Sequence, residues 1–237
     1  YGEAYDDRFG YSVAGAGDVN GDGYSDIIIG APIHDGGAGQ TGAAYLYYGG
    51  SSINTVYDKK YLGNAAYDQF GFSVAGAGDV NGDGYSDVIS GAPFNDYSGL
   101  YAGAAYVYFG GVSPDVTPDF NFYGTNSNDY FGYRVSGGCD INGDGYDDFL
   151  IAAPLNDATE IDAGRVYLFY GGVMLDNIPD NIFSGAGSYY YLGYGISFLK
   201  NVDGTGNNEI LISSYSFKKV YLYTNKISGP DIPDLIF

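Results

Sequence analysis

The chain has 237 residues, of which 45% are hydrophobic and 16% charged, so it can bury a core and is not a disordered acidic segment. Its formal net charge of −20 argues against partners such as nucleic acid or an anionic membrane surface. A single cysteine, Cys139, excludes an internal disulfide framework. No apolar run reaches the ~18 residues of a spanning helix, so we expect no membrane insertion.

Four copies of one pattern follow each other along the chain with a period of 61 residues. The dipeptide Phe-Gly opens the pattern at Phe9, Phe70 and Phe131, and Leu192-Gly193 stands where the fourth copy should begin. This period divides the chain into the units 1–61, 62–122, 123–183 and 184–237. Units of this size bury their apolar faces only against neighbouring units, so we expect a single domain over residues 1–237.

Each unit contains the signals of four short strands, which are clearest in the second unit. The strand before the acidic loop is rich in small residues, the next one is stopped by Pro93, and the third is ended by Gly110-Gly111. In this unit the predicted strands are 73–78, 88–90, 104–109 and 119–122. The second strand recurs at 27–29, 149–151 and 210–212, and the third at 45–48, 166–170 and 220–223. This is the size of a propeller blade, so the predicted fold class is all-β, a β-propeller of four four-stranded blades.

An acidic nine-residue loop lies between the first two predicted strands of each of the first three units. Its side-chain oxygens occupy positions 1, 3, 5 and 9, and glycines at positions 4 and 6 permit the positive φ needed to wrap an ion. Together with the backbone carbonyl of position 7 they form the all-oxygen shell that Ca²⁺ prefers. The predicted metal ligands are Asp18, Asn20, Asp22, Tyr24 and Asp26; Asp79, Asn81, Asp83, Tyr85 and Asp87; and Asp140, Asn142, Asp144, Tyr146 and Asp148.

Other interpretations of the loop are weaker. An EF-hand needs a bidentate glutamate at position 12, where this chain has Ile29, Ser90 and Ile151. The remaining alternative is an Asx-rich turn without metal, but three loops in register and an excess of 25 acidic over 5 basic residues in units one to three favour a cation. We therefore expect three Ca²⁺ sites. The fourth copy has fewer carboxylates, so we expect it to be weak or empty; it offers Asn201, Asp203, Thr205, Asn207 and Glu209.

Phe-Gly, the acidic loop and Gly-Ala-Pro, in this order, resemble FG-GAP repeats, the blades of the integrin alpha-subunit N-terminal β-propeller and of many secreted bacterial proteins. Copies one and two match throughout, copy three has Ala-Ala-Pro at 152–154, and copy four lacks the Gly-Ala-Pro turn. The resemblance implies Ca²⁺ in the hairpin loop between the first two strands of each blade. It also implies an extracellular or cell-surface location.

No catalytic constellation is evident. The only histidine, His34, has no counterpart at Asn95 or Asn156, and a site repeated on every blade is structural, so we expect no enzyme activity. The repeated aspartates outside the loops are interpreted as turn residues. They are Asp7, Asp68 and Asp129 before Phe-Gly, and Asp35, Asp96 and Asp157 after Gly-Ala-Pro.

The leading functional hypothesis is a calcium-stabilised binding or assembly module outside the cell, which acts in adhesion or builds a surface layer or fibre. One alternative is a carbohydrate-binding propeller, in which exposed tyrosines such as Tyr97, Tyr101 and 189–191 stack on sugar rings. Another alternative is an accessory domain of a secreted enzyme.

The number of blades leaves the assembly open. Integrin-like propellers have seven blades and this chain encodes four, so the chain either closes as a four-bladed disc or is an open half completed by another chain. Because it starts at Tyr1 without a methionine, we expect a processed or excised piece, without a latch strand ahead of the first blade. Unit four has no net charge while the others carry −20, so we expect association with copies of itself or with another protein through unit four, as a homo-oligomer or fibre.

Overall fold

The computed structural model describes residues 2–4, 6–37, 39–52, 54–202, 204–224 and 233–237. These residues form sixteen β-strands, β1 to β16, arranged in four antiparallel four-stranded sheets. They include no helix with the length and apolar character that a membrane crossing requires. The all-β prediction and the repetition every 61 residues are therefore confirmed.

Each sheet is a meander, in which strands that follow each other in sequence are hydrogen-bonded neighbours. We call the sheets blades 1 to 4. Blade 1 contains β1 (Ser12–Gly17), β2 (Asp26–Ala31), β3 (Ala43–Tyr47) and β4 (Lys59–Leu62). Blade 2 contains β5 (Ser73–Gly78), β6 (Asp87–Ala92), β7 (Ala104–Tyr108) and β8 (Phe120–Tyr123). Blade 3 contains β9 (Arg134–Cys139), β10 (Asp148–Ala153), β11 (Arg165–Phe169) and β12 (Asn181–Ser184). Blade 4 contains β13 (Leu192–Lys200), β14 (Asn208–Ser214), β15 (Lys219–Tyr223) and β16 (Leu235–Ile236).

The hydrophobic core lies between blades rather than within them. Between blades 1 and 2 the core includes Ile28 and Val88, and between blades 2 and 3 it includes Ile89 and Phe149. A third cluster joins blades 3 and 4. As predicted for a strand between two neighbouring blades, every residue of β6 and β10 is buried.

The Phe-Gly dipeptides of blades 2 and 3 link each of these blades to the one before it. Phe70 is buried, its ring packs on Tyr106 with centroids 5.6 Å apart, and its backbone pairs with Gly42 of blade 1. Gly71 follows with a φ of 81°, and a Cβ there would collide with the Ala43 carbonyl of blade 1. A glycine is therefore required both by the backbone conformation and by the close approach of the neighbouring chain.

The row of blades is open. The innermost strands β1, β5, β9 and β13 pack on one another in chain order, but β13 does not pack on β1 as these neighbours do. The first blade shows the consequence, because Ile27 of β2 is 41% exposed, while Val88 and Phe149 at the same position are buried. The structure thus has the open arrangement and not the closed four-bladed disc.

Candidate metal centre

The acidic loops join the innermost strand of a blade to its second strand and are folded by their own side chains. In blade 2, Asp79 Oδ1 accepts hydrogen bonds from the backbone N–H groups of Gly82 and Asp83 at 2.7 and 3.0 Å. Its other oxygen, Oδ2, accepts one from Gly84 N at 2.9 Å. The two glycines have φ values of 78° and 90°, which confirms the turn expected of them. The same bonds occur in blades 1 and 3.

The side chains at positions 3 and 5 lie beside each other. Asn81 Nδ2 donates a hydrogen bond to Asp83 Oδ2 at 2.9 Å, and Asn81 Oδ1 accepts one from Asp83 N at 2.8 Å. Asp83 Oδ1 in turn accepts a hydrogen bond from Tyr85 N at 3.0 Å. Asp83 is exposed and Asn81 is half-buried. Equivalent contacts in blades 1 and 3 show that this oxygen-rich group is built three times.

The aspartate at position 9 has a second role that sequence reasoning missed. Asp87 is fully buried, and its two oxygens accept hydrogen bonds from Val80 N at 2.9 Å and from Gly110 N at 2.8 Å. It therefore ties the loop to the glycine that ends the third strand. Asp26 and Asp148 make the matching pairs of bonds. In all three blades the glycine follows the position-9 aspartate by 23 residues, and this constant spacing is the sequence signal that could have revealed the contact.

We call Asp26, Asp87 and Asp148 the clamp aspartates, because each joins its loop to the glycine after the third strand. Burial has the largest effect on their pKa values. Desolvation raises the pKa of Asp87 and of Asp148 to about 7, although the two backbone hydrogen bonds of each carboxylate oppose this rise. The pKa of Asp26 is also raised by burial. The carboxylates at positions 1 and 5 of the same loop raise these pKa values further, since like charges disfavour ionisation. A bound cation would remove this repulsion.

The donor set suits a hard cation. Positions 1, 3 and 5 contribute two carboxylates and an amide oxygen, and position 7 can add a carbonyl, as Ca²⁺ prefers. Among the described residues, no three His, Cys, Asp or Glu side chains lie close enough together to hold a metal ion. The clamp aspartates do not join such a group because their oxygens bond backbone N–H groups. A carboxylate oxygen with one hydrogen bond retains a second lone pair. The assignment of Asp26, Asp87 and Asp148 as ligands therefore stays a prediction, as do the other twelve residues.

The described residues of the fourth loop repeat part of the hydrogen bonding of the other loops. Glu209 is fully buried and accepts a hydrogen bond from Val202 N at 3.0 Å, so its longer side chain replaces the clamp aspartate. Asn201 Oδ1 accepts one from Gly206 N at 2.7 Å, as the first aspartate does elsewhere. Thr205 and Asn207 bond each other, and Asp203 lies outside the described residues. An amide thus takes the place of the carboxylate at position 1.

Position 8 connects the loops of neighbouring blades, which the sequence pattern did not reveal. Ser86 N donates a hydrogen bond to the Asp18 carbonyl at 2.9 Å, and Ser86 Oγ accepts one from Asp18 N at 3.2 Å. Asp147 makes the same two contacts with Asp79. In blade 4 Asn208 Nδ2 reaches the Asp140 carbonyl at 2.6 Å. The loops of blades 1 to 3 are thus each supported by the blade that follows.

The repeated aspartates before Phe-Gly are buried and bond side chains 27 residues further on. Asp68 accepts a hydrogen bond from Asn95 at 2.8 Å and Asp129 accepts one from Asn156 at 2.6 Å. In blade 1 the ring of His34 takes the place of the asparagine, with its Nδ1 at 2.9 Å from Asp7. The only histidine therefore lies in a structural contact that every one of the first three blades makes. The aspartates after Gly-Ala-Pro accept backbone N–H groups of their own turns, namely Asp35, Asp96 and Asp157.

One cavity of about 420 Å³ opens beside the exposed Tyr97. The ring of Tyr97 is stacked on that of Tyr123 with centroids 4.3 Å apart, and Asp68, Asn95 and Asp96 contribute polar lining. Sequence reasoning selected Tyr97 but missed Tyr123. Of the other tyrosines proposed for sugar stacking, Tyr101 is stacked on Tyr130, Tyr190 is stacked on Phe217 and Tyr189 is exposed.

Four-stranded blades that share cores and carry repeated acidic loops define a β-propeller of integrin-like repeats. A sequence model described as "FG-GAP repeat" matches residues 9–47, 70–108 and 131–169, so the chain belongs to the FG-GAP repeat family. Residues of blade 4 are outside these matches, which agrees with its altered motifs.

Several integrin alpha subunits are similar to this chain. Integrin alpha-5 of Xenopus laevis is 34% identical over 174 residues, which are 69% of this chain and 16% of the relative. Integrin alpha-6 of Gallus gallus is 32% identical over 168 residues, 69% of this chain and 15% of the relative. Integrin alpha-PS3 of Drosophila melanogaster is 33% identical over 183 residues, 71% of this chain and 15% of the relative. The chain thus spans about a sixth of the length of these curated relatives.

Proposed function

We propose that the four blades act as one domain, a calcium-stabilised, non-enzymatic adhesion and assembly module located outside the cell. The observation that carries this proposal is the acidic loop built three times with the same internal hydrogen bonds, beside a similarity to integrin alpha subunits. The proposed ligands are the fifteen residues at positions 1, 3, 5, 7 and 9 of the first three loops.

Calcium would stabilise the folded module by neutralising charge. Positions 1 and 5 place two carboxylates in each loop, and only nine basic residues oppose 29 acidic ones in the chain. A ligand that binds only the folded state adds about 2.7 kcal/mol per site at a hundredfold excess over Kd. Three sites would therefore contribute a large share of a typical domain stability of about 5–15 kcal/mol.

The test is calorimetric titration of the chelator-treated protein with Ca²⁺, together with its melting temperature in EDTA. We expect three Ca²⁺ ions to bind and EDTA to lower the melting temperature substantially. Asp83→Ala should reduce the stoichiometry to two, whereas Asp115→Ala, which removes an acidic residue of an ordinary exposed loop, should leave it at three. A stoichiometry of zero or one, or a melt that EDTA does not change, contradicts the proposal.

The partner of the adhesion module is proposed to be another protein, because the relatives are integrin alpha subunits. A pulldown onto immobilised extracellular matrix proteins, with and without EDTA, tests this assignment. Calcium-dependent retention supports it, and no retention on any matrix protein contradicts it.

Carbohydrate binding is the second candidate function, which the cavity beside Tyr97 favours. A stacked tyrosine pair next to carboxylate and amide side chains can provide an apolar platform and hydrogen bonds to hydroxyl groups. We expect Tyr97→Ala to abolish any binding on a glycan array, and Tyr215→Ala, at an exposed tyrosine between β14 and β15 of blade 4, to preserve it. An array without bound glycans removes this candidate.

A further inference from the structure

The two ends of the row of blades are complementary to each other. We call the side of blade 1 that faces away from blade 2 the head face, and the side of blade 4 that faces away from blade 3 the tail face. The contacts that join blade 1 to blade 2, and blade 2 to blade 3, recur at equivalent residues. At the head and tail faces several equivalent positions are exposed, because no neighbouring blade covers them.

The head face exposes residues that the other blades bury. Val13 is 65% exposed, whereas Val74 and Val135 at the same position in blades 2 and 3 are 6% and 7% exposed. Ile27 is likewise exposed and its equivalents are buried. Val13 and Ile27, together with half-buried Ile29 of β2, present an apolar sheet face of the kind that receives a preceding blade at the first two internal junctions.

The glycines of the head face also lack the close backbone contacts that their equivalents make with a preceding blade. A Cβ at Gly76 would lie 2.8 Å from the Gly15 carbonyl of the preceding blade, and one at Gly137 would lie 2.7 Å from Ala77 Cα. A Cβ at Gly15 itself would meet no atom within 4 Å. At Gly49 no atom of a preceding blade is near, while its two equivalents approach the Val19 and Val80 carbonyls.

A tyrosine crosses the first two internal junctions, whereas Asn207 holds its position in blade 4. The rings of Tyr85 and Tyr146 lie over Gly21 and Gly82 in the acidic loop of the preceding blade. Tyr24 occupies the same position in blade 1 and is 47% exposed. On the tail face Gly204 is the matching loop glycine, and a Cβ there would meet no atom within 4 Å. The ring and the surface it covers are therefore both available.

The tail face carries the second half of the contact. Val19, Val80 and Ile141 at loop position 2 are at most 3% exposed because the following blade covers them. Val202 occupies this position in blade 4 and is 59% exposed. Burial of one such side chain stabilises by about 1.5–3 kcal/mol. The tail face therefore presents an exposed valine of the kind that a following blade buries at the internal junctions.

We propose that the head face docks the tail face of a second copy of this chain, with Tyr24 over Gly204 and Val202 buried against blade 1. This rests on the assembly role in the proposed function and names its partner. Unit four has no net charge and the other three units carry −20, so a head-to-tail contact avoids opposing two acidic blades. Two copies joined twice in this way form a ring of eight blades, within the range that propellers adopt.

The experiment is light scattering after size-exclusion chromatography, in Ca²⁺, over a range of protein concentrations. We expect the wild type to reach twice the 25.1 kDa mass of one chain. Gly15→Val fills the head face and Val202→Asp places a charge on the tail face, so each variant alone should be monomeric with the far-UV circular dichroism spectrum of the wild type. Val112→Asp alters an exposed valine of blade 2, which forms neither face, and should remain a dimer.

Mixing the two monomeric variants tests the direction of the contact. Gly15→Val retains an intact tail face and Val202→Asp an intact head face, so the mixture should form a dimer joined once. A mixture that stays monomeric overturns the head-to-tail pairing, and wild-type masses that increase beyond two copies overturn closure of the ring. A monomeric wild type that still binds three Ca²⁺ ions overturns this proposal alone and leaves the proposed function standing.

Discussion

Replacement of the clamp aspartate separates its backbone role from calcium binding. Asp87→Ala removes hydrogen bonds to Val80 N and Gly110 N in a fully buried position. A hydrogen bond to a charged group is worth about 1.5–3 kcal/mol, and its loss leaves a buried N–H without a partner. Two such bonds predict a loss of about 3–6 kcal/mol even without metal. At ~2–4 °C per kcal/mol for a chain of this size, the melting temperature should fall on the order of 10 °C.

Asp83→Ala is the matched control, because it removes a carboxylate from the same loop at an exposed position. In EDTA we expect this variant to lose less than about 1 kcal/mol, since exposed side-chain bonds contribute little. In Ca²⁺ it should lose a further ~2.7 kcal/mol at a hundredfold excess over Kd, because one site is removed.

The assay is urea unfolding at pH 8, followed by tyrosine fluorescence, with each variant measured in EDTA and in Ca²⁺. The 28 tyrosines and the absence of tryptophan make this signal suitable. Equal losses for Asp83→Ala and Asp87→Ala in EDTA would refute the clamp. An Asp87→Ala variant as stable as the wild type in EDTA would refute it as well.

Two further predictions concern the packing of the repeats. The unfolding free energy of His34→Asn should be within about 1 kcal/mol of the wild type, because asparagine fills this role at Asn95. His34→Ala should lose about 1–3 kcal/mol, because it removes a partner of the buried Asp7. Equal urea midpoints for the two variants would contradict this prediction. In the same assay Gly91→Ala should lose about 1–3 kcal/mol of unfolding free energy, because its Cβ collides with the Gly132 carbonyl. The control Gly187→Ala should be as stable as the wild type, because its Cβ meets its nearest atom at 3.5 Å. A Gly91→Ala variant as stable as the wild type would contradict close packing between blades 2 and 3.

Local signals carried most of the fold prediction. The strand Ser73–Gly78 was predicted with its observed bounds, and other strands differ by a few residues at their ends. Small and apolar segments bounded by Gly and Pro specify short strands without reference to distant residues, and the period of 61 then repeats one solution. The loop turns were predictable for the same reason, because glycine at positions 4 and 6 determines them locally.

The role of each loop side chain depended on contacts that no local pattern encodes. Asp22 and Asp26 are the same residue type four positions apart, yet one is exposed and the other is buried against Gly49 N. Likewise, Tyr97 was selectable as a loop tyrosine, but its stacking partner Tyr123 comes from the outer strand of the blade.

The sequence by itself determined the repeated blade, the turn that folds each acidic loop and the oxygen-rich chemistry of that loop, because each depends on residues within a few positions of one another. Only the tertiary structure decided that the row of blades stays open and that Val13 and Val202 are exposed at its two ends. Identical positions are buried at the internal junctions. The difference arises because burial in a repeat protein depends on whether a neighbouring unit is present, and a sequence period is the same with or without that neighbour.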